Sequence, residues 1–312
     1  MNGVQVTVIV PALNEARIIG PVIADIRNVL DTLDVSYEVL VVDDGSSDGT
    51  DVAAQQAGAR VIQHAYNMGN GAAVKTGIRS AVGEIIVMMD GDGQHDPADI
   101  PRLLIEIGKH GMVVGARTRD SQTQWYRDLA NGIYNMFASY VCGRRIPDLT
   151  SGFRAMKTDL ARRFVYLLPN TFSYPTTLTL ATIRAGHCVK YIPIKTAYRV
   201  GKSKIKLLRD GIRFLLIIFK ITTLFSPLKV FLPISLAITL LGVIWYLLTL
   251  ITYGFKMPPA SVIMILSGVF FFLMGLISEQ IAQLRFDRSE SFSPYASDLI
   301  QTREDSRSDQ SA

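Results

Sequence analysis

Cysteine is nearly missing from this chain: Cys142 and Cys188 are the two thiols in 312 residues. They show neither paired metal-ligand spacing nor a disulfide framework, which argues against a cysteine-bound zinc fold and fits a reducing compartment. Histidine is also scarce. His64, His95, His110 and His187 have no partner at ligand spacing and read as ordinary polar residues. Charge is thin, at 19% of residues against 49% hydrophobic. Two nucleotide signatures are absent as well. The run "GNGAAV" at 69–74 lacks the third small residue of a dinucleotide fingerprint, and "GAAVKTG" lacks the Gly-Lys-Ser/Thr ending of a phosphate loop. There is no internal repeat or low-complexity stretch. "MNGVQVTVIV" leads directly into a folded-domain pattern, so no cleavable signal is expected there.

The apolar excess is concentrated. Val230 to Tyr253 and Met257 to Ser278 contain no charged residue, and each exceeds the roughly 20 residues that cross a hydrocarbon core. Both are apolar all round, unlike an amphipathic pair in a soluble core. The short link Gly-Phe-Lys-Met-Pro-Pro predicts a hairpin, with spans at 230–253 and 258–278 within 229–284. Lys202, Lys204, Lys206, Arg209, Arg213, Lys220 and Lys229 precede it and Arg285 and Arg288 follow it, against Lys256 in the turn. The positive-inside rule then places the N-terminal domain and the tail in the cytoplasm, on a multi-pass protein of the inner membrane. Lys206, Arg209, Arg213 and Lys220 share one helical stripe, so 202–228 reads as an interfacial helix among lipid headgroups. The polar tail 285–312 reads as partly disordered.

Residues 1–201 read as a separate α/β domain. "VQVTVIVP", "YEVLVVDD", "ARVIQH", "EIIVMMD" and "MVVGAR" have the continuous apolar character of buried parallel strands. Helical spacing covers Glu15 to Leu33, Gly71 to Val82 and Pro97 to Lys109. The alternation predicts a mostly parallel, Rossmann-like sheet with helices on both faces. Ligands of such sheets sit beyond the carboxyl ends of the strands. Three of those ends carry "PALNE", "DDGSSDGT" and "DGDGQ", which gathers Glu15, Asp43, Asp44, Asp90 and Asp92 on one edge. Like charges so gathered need a cation or donors to compensate. Oxygen ligands suit Mg²⁺ or Mn²⁺, and a hard cation with few protein ligands shares its coordination with a diphosphate. Gly91 and Gly93 leave room for close approach to the backbone.

The ordered set "VIVPALNE", "VVDDGSSDGT", "NMGNGAAVKTG", "DGDGQHDP", "DLTSGFRAM" and "YRVGKSK" resembles the family 2 glycosyltransferases of the GT-A fold. More narrowly it resembles the dolichol-phosphate mannose synthase and polyprenyl-phosphate glycosyltransferase group. The resemblance implies that Asp90, Asp92 and Gln94 hold the metal and that Asp90, Gly91 and Asp92 meet the diphosphate. It implies that Pro11, Leu13 and Glu15 border the donor nucleoside, and that Val42 and Asp44 hold its base and ribose. Arg117 matches an arginine that meets phosphate. Arg127 and Asn131 match residues that hold the acceptor phosphate, and Arg199 and Lys204 match cations that close over the donor phosphates. Many relatives carry a lysine where Asn70 stands, and an acidic residue in the helix that begins here with "FSYPTTLTLA". Read from the residues alone, Arg127 is equally a solvated charge, Lys204 a member of the headgroup stripe, Asp43 a turn carboxylate, and Ser151 to Arg154 a shaping loop around Gly152.

The expectation is an inverting, metal-dependent hexosyltransferase that uses a UDP- or GDP-sugar donor and a polyprenyl phosphate acceptor at the bilayer. Its catalytic residues are Asp92, Arg117, Arg127 and Arg199. An anionic acceptor needs positioning by arginines more than a strong base, with Asp148 a weak candidate base for a hydroxyl acceptor. Two rivals are extension of a saccharide chain and a catalytically silent nucleotide-sugar binder. The stretch "QTQWYRD" at 122–128 is not the Gln-x-x-Arg-Trp motif of the first rival. No nucleic-acid partner is expected, and self-association through the hairpins fits the pattern.

Overall fold

The computed structural model describes residues 4–118, 132, 135–136, 138–140, 142–170, 174–196, 219, 223, 226–254 and 258–290, with side chains to 284. The chain forms two compact units, Met1–Asp210 and Gly211–Ala312.

The first unit is built on a seven-stranded sheet. Its strands are β1 (Val6–Ala12), β2 (Tyr37–Asp43), β3 (Arg60–Gln63), β4 (Ile85–Met88), β5 (Met112–Arg117), β6 (Arg154–Lys157) and β7 (Val189–Ile194). They lie in the order β3-β2-β1-β4-β6-β5-β7. β6 alone among the seven runs antiparallel to its neighbours, and the rest pair in parallel. All seven residues of β1 are buried, because helices cover both faces and no position faces water. The five strands expected from the sequence are present: β5 has the expected bounds, β1 starts later and ends one residue later, and β2, β3 and β4 are trimmed. β6 interrupts the reading, since a basic residue opens it and leaves no apolar run to recognise.

Helices α1 (Ala16–Leu30), α2 (Thr50–Gln56), α3 (Asn70–Ser80), α4 (Ile100–Ile107), α5 (Thr158–Phe164) and α6 (Tyr174–Arg184) complete the unit. Ile19, Val22, Ile23, Ile26 and Leu30 make the buried stripe of α1, at the spacing one helical face requires. The helix stops three residues before the expected Leu33, where Thr32 and Leu33 donate to the Val29 and Leu30 carbonyls in a tight last turn. The segment expected as one helix from Pro97 divides. Asp96 accepts from the Ala98 N–H at 2.9 Å and caps a 3₁₀ turn, Pro97–Asp99. α4 then starts afresh at Ile100, with Pro101 in its first turn where a missing N–H costs nothing.

The second unit contains α7 (Leu228–Tyr253) and α8 (Pro259–Glu290). Both are long and apolar enough to cross a membrane, with mean hydropathies of 2.3 and 2.5 over their apolar windows. Their buried residues are small and recur every seventh position: Ser235 and Gly242 on α7, and Ser261, Gly268, Gly275 and Ala282 on α8. A seven-residue repeat keeps one seam facing the partner helix, and small residues there let two backbones approach without a water-driven core. Contact at the seam is close. A Cβ at Gly275 would lie 2.7 Å from Phe231 Cβ, and Ser235 Oγ donates to the Gly268 carbonyl at 2.8 Å. The outer faces stay open, with Leu236, Ile251 and Phe270 all exposed. That is the reverse of a core helix. Of the stretch 202–225, only residues 219 and 223 are among those described, so the expected interfacial helix lies almost wholly outside them, as does the tail beyond 290.

Candidate active site

β1, β2 and β4 are in parallel register, with Ala12 opposite Asp43 and Ile9 opposite Met88. Their carboxyl ends therefore deliver three loops to one edge of the sheet. These loops, with the start of α3 and residues from around β6 and α6, line a cleft of about 370 Å³. Pro11, Leu13, Glu15, Asp44, Asp90, Gly91, Asp92 and Gln94, all expected from the sequence, line it together with Asn67, Asn70, Thr150, Gly152, Tyr174 and Pro175.

The first two loops are locked to each other. Asn14 takes a left-handed backbone with φ of 56°, a conformation that asparagine tolerates better than most residues. Its N–H donates to Ser46 Oγ at 2.9 Å and its Oδ1 accepts from the Ser47 N–H at 3.0 Å. Glu15 N–H donates to Thr50 Oγ1 at 2.9 Å, and Ala16 N–H to Asp48 at 3.1 Å. Asp43 is buried and accepts from the Ser46 N–H and from Gln63, so it is the turn carboxylate that one reading expected. Asp44 is also buried, and its oxygens accept from the backbone of Met68 (2.9 Å) and Gly69 (2.7 Å) and lie 2.7 Å from His64 Nδ1. A Cβ at Gly45 would sit 2.7 Å from the Tyr66 carbonyl carbon. Only glycine lets the 66–69 loop cross here and bring Asn67 and Gly69 to the cleft.

The third loop is different. Asp90 keeps a third of its side chain exposed, with His95 Nε2 3.7 Å from Oδ2. No hydrogen bond reaches it from the described residues. Asp92 Oδ1 accepts from the Gln94 N–H at 3.1 Å. Behind Asp90 the backbone of Gly152 comes so near that a Cβ there would fall 2.5 Å from the carboxylate, the close approach its glycine suggested. Gly91 has an internal reason as well: a Cβ would meet the Pro11 carbonyl at 3.2 Å and Val10 at 3.2 Å. The His95 ring is buried, stacks on Phe153 at 5.3 Å and leaves Nδ1 unpartnered. His95 thus belongs to the site, which the sequence reading missed. The usable signal was its place in "DGDGQHDP", three residues past Asp92.

The remaining expected residues fall in three places. Val42 is fully buried in β2, opposite Pro11, and does not line the cleft. Arg117, at the end of β5, forms a two-pronged pair with Asp148, Nε to Oδ2 at 2.8 Å and Nη2 to Oδ1 at 3.0 Å. Burial pushes the Asp148 carboxyl up, but the Arg117 hydrogen bonds and charge outweigh it and hold the group below its ordinary value. A carboxylate so held is a weak base. Arg127, Asn131, Arg199 and Lys204 lie outside the described residues. Tyr174, across the cleft, is buried. Burial first and then the charge of Asp90 push its phenol far above its ordinary value, so it stays neutral.

Comparison with known proteins agrees with this geometry. Residues 7–164 match the model of Glycosyl transferase family 2, and residues 226–284 match that of the GtrB C-terminal hairpin. An uncharacterized protein of Methanocaldococcus jannaschii is 30% identical over 64% of this chain and 84% of its own length. The undecaprenyl-phosphate 4-deoxy-4-formamido-L-arabinose transferase of Edwardsiella ictaluri is 26% identical over 90% of both chains. Among solved structures, the glucosyl-3-phosphoglycerate synthase of Mycobacterium tuberculosis, in complex with Mn²⁺ and UDP-glucose, superposes with a TM-score of 0.55. It has 22% identity and covers 69% of this chain and 76% of that one. The fold is GT-A.

Proposed function

The chain belongs to glycosyl transferase family 2, and on that footing we propose that it moves a hexosyl group from a nucleotide-diphosphate sugar to a polyprenyl phosphate at a membrane. The observation that carries this reading is the union, in one chain, of a strand-end cleft presenting Asp90 and Asp92 with a two-helix apolar hairpin. The undecaprenyl-phosphate transferase relative, matched over 90% of both chains, supports the acceptor class. The synthase with Mn²⁺ and UDP-glucose supports the donor class.

The donor set fits a divalent ion of the hard class. Among the described residues no three of His, Cys, Asp and Glu converge into a complete cage. Two carboxylates at a strand end with solvent access suit a cation that completes its shell with diphosphate and water. Asp90 and Asp92, with Gln94 beside them, would hold Mg²⁺ or Mn²⁺, which when bound supplies charge stabilisation to the departing diphosphate. The chain does the rest. The interlocked 13–16 and 46–50 loops, with Asp44 fixing residues 68 and 69, hold a rigid wall for the nucleoside. By resemblance Arg199 and Lys204 add positive charge over the diphosphate, and Arg127 and Asn131 seat the acceptor phosphate.

A phosphate oxygen of the acceptor forms the new bond to the anomeric carbon as the bond to the nucleotide breaks, which inverts configuration in one displacement. The acceptor is anionic near neutrality, so no base is required, consistent with Asp148 being paired and ionised. The same reading places the first unit and the tail on the cytoplasmic side of the inner membrane, with 202–228 in the headgroup layer and the outer faces of α7 and α8 toward lipid or further copies of the chain.

The test is transfer by purified full-length protein given Mn²⁺ or Mg²⁺, a panel of UDP- and GDP-sugars and a short polyprenyl phosphate. The expected product is a glycosyl phospholipid. Nucleotide released only with a saccharide acceptor would overturn the acceptor assignment, and no turnover with any pair would overturn the reaction.

A further inference from the structure

Arg154 is the largest fully buried side chain among the described residues, at 0% exposure. It stands on β6 between Met88 of β4 and Val114 of β5, two residues of β4 chain short of Asp90. No carboxylate pairs with it among the described residues. Its donors go to neutral acceptors instead: the Ser151 carbonyl, the Pro175 carbonyl at 2.8 Å, Thr179 Oγ1 at 3.1 Å and, weakly, Met112 Sδ at 3.8 Å. Nε has no acceptor. A buried guanidinium without an ion partner costs several kcal/mol, so an explanation is needed for why an apolar residue does not stand there.

The acceptors supply one: Pro175 lines the cleft, Ser151 stands between the lining residues Thr150 and Gly152, and Thr179 is one helical turn past Pro175. Ser151 precedes Gly152, whose backbone presses on Asp90. Pro175 and Thr179 form the first turns of α6, and Tyr174 and Pro175 line the opposite side. Phe153, between Gly152 and Arg154, carries the stacked ring of His95, which itself faces Asp90. One guanidinium therefore fixes the backbone behind Asp90 and the wall across from it. Its fork of rigid donors is the feature that lysine lacks. Burial lowers the basicity of Arg154, yet the charges of Asp148 and Asp90 are among those that act against this, and the group remains a cation.

We propose that Arg154 is a positioning residue of the donor site: by holding Ser151 and the start of α6 in one grip, it sets the Gly152 backbone against Asp90 and so aims that carboxylate at the cleft. This inference rests on the donor-site reading above. It concerns a residue that need not touch substrate, metal or acceptor.

The experiment is a Mn²⁺ titration, followed by electron paramagnetic resonance, of detergent-solubilised full-length protein with UDP or with GDP. Three variants are compared with wild type. Arg154→Lys keeps the charge and loses the fork, and should raise the Mn²⁺ dissociation constant about tenfold, the size seen when outer partners of metal ligands are removed. Thr179→Val removes one acceptor at nearly constant volume and should give a smaller rise, about threefold by the same reasoning. It carries the test if the lysine variant does not fold. Phe164→Leu in the core of α5 matches a loss of melting temperature without touching the site and should leave Mn²⁺ binding as in wild type. Affinity within twofold of wild type in the folded lysine variant, or in the valine variant where it stands in, would overturn the inference. So would an equal loss in the Phe164 control. Wild-type protein that takes up no Mn²⁺ with either nucleotide would instead overturn the donor-site reading, and the inference with it.

Discussion

Two acidic loops end the strands that flank β1 in the sheet, yet they spend their charge in different ways. After β2, Asp43, Asp44 and Asp48 turn their oxygens inward to the N–H groups of Ser46, Met68, Gly69 and Ala16. After β4, Asp90 receives no such bond among the described residues and remains part-exposed in the cleft. The first loop is a structural clamp, and the second leaves a carboxylate open to the cleft. Counting carboxylates on a sheet edge is therefore a poor guide to a cation site. Burial and the donors already met by each carboxylate have to be read together, as Asp44 and Asp90 show.

The largest expected effect separates the loops by readout. Asp92→Asn should cut turnover on the order of 10³-fold with little change in melting temperature. Asp43→Asn should instead destabilise the first unit by about 1–3 kcal/mol, while turnover per folded molecule stays near wild type. Assays of turnover and thermal melting on both variants check this. Equal loss of turnover with equal stability in the two would erase the distinction.

Next in size is the steric difference at two glycines. Gly45→Ala forces a side chain both onto a backbone with φ of +78° and into Tyr66, and should cost about 1–3 kcal/mol of stability. Gly152→Ala meets a flexible carboxylate, so it should spare more of the stability and lose Mn²⁺ affinity instead. Melting curves and Mn²⁺ titrations on the same samples sharpen the contrast.

Acid should act on the Arg117–Asp148 pair. The folded pKa of Asp148 lies below its ordinary 3.8. Its contribution is therefore full above that ordinary value and is lost as pH falls through the folded value. Melting temperature should fall on acidification below about pH 4, and Asp148→Asn should flatten that limb while lowering stability at neutral pH. The smallest effect is expected at the part-exposed Glu106–His110 pair, 3.5 Å apart. Glu106→Gln should change stability by less than about 0.5 kcal/mol.

Much of this was legible in the residues. The continuous apolar runs of β1 and β2 announced a parallel sheet, and the strand-end loops together with the family resemblance named eight lining residues of the cleft. The hairpin was visible as two charge-free stretches. Other features depend on contacts made far along the chain. His95 is marked in the residues only by its place in "DGDGQHDP", because its partners are Asp90 by folding and Phe153 just before β6. Asp44 and Asp90 look alike in sequence and differ by which backbone arrives beside them. Arg154 reads as part of a shaping loop until β6 is placed between β4 and β5. The seven-residue seam of Ser261, Gly268, Gly275 and Ala282 was present in the residues, but it is hidden when a span is judged by hydropathy alone.

The most direct test of the donor site is the dependence of glycosyl-lipid formation on divalent ions. Protein stripped with EDTA should form no product from nucleotide sugar and polyprenyl phosphate, and should recover on adding Mn²⁺ or Mg²⁺ for wild type but not for Asp92→Asn. Full-rate transfer in EDTA would contradict the assignment of Asp90 and Asp92.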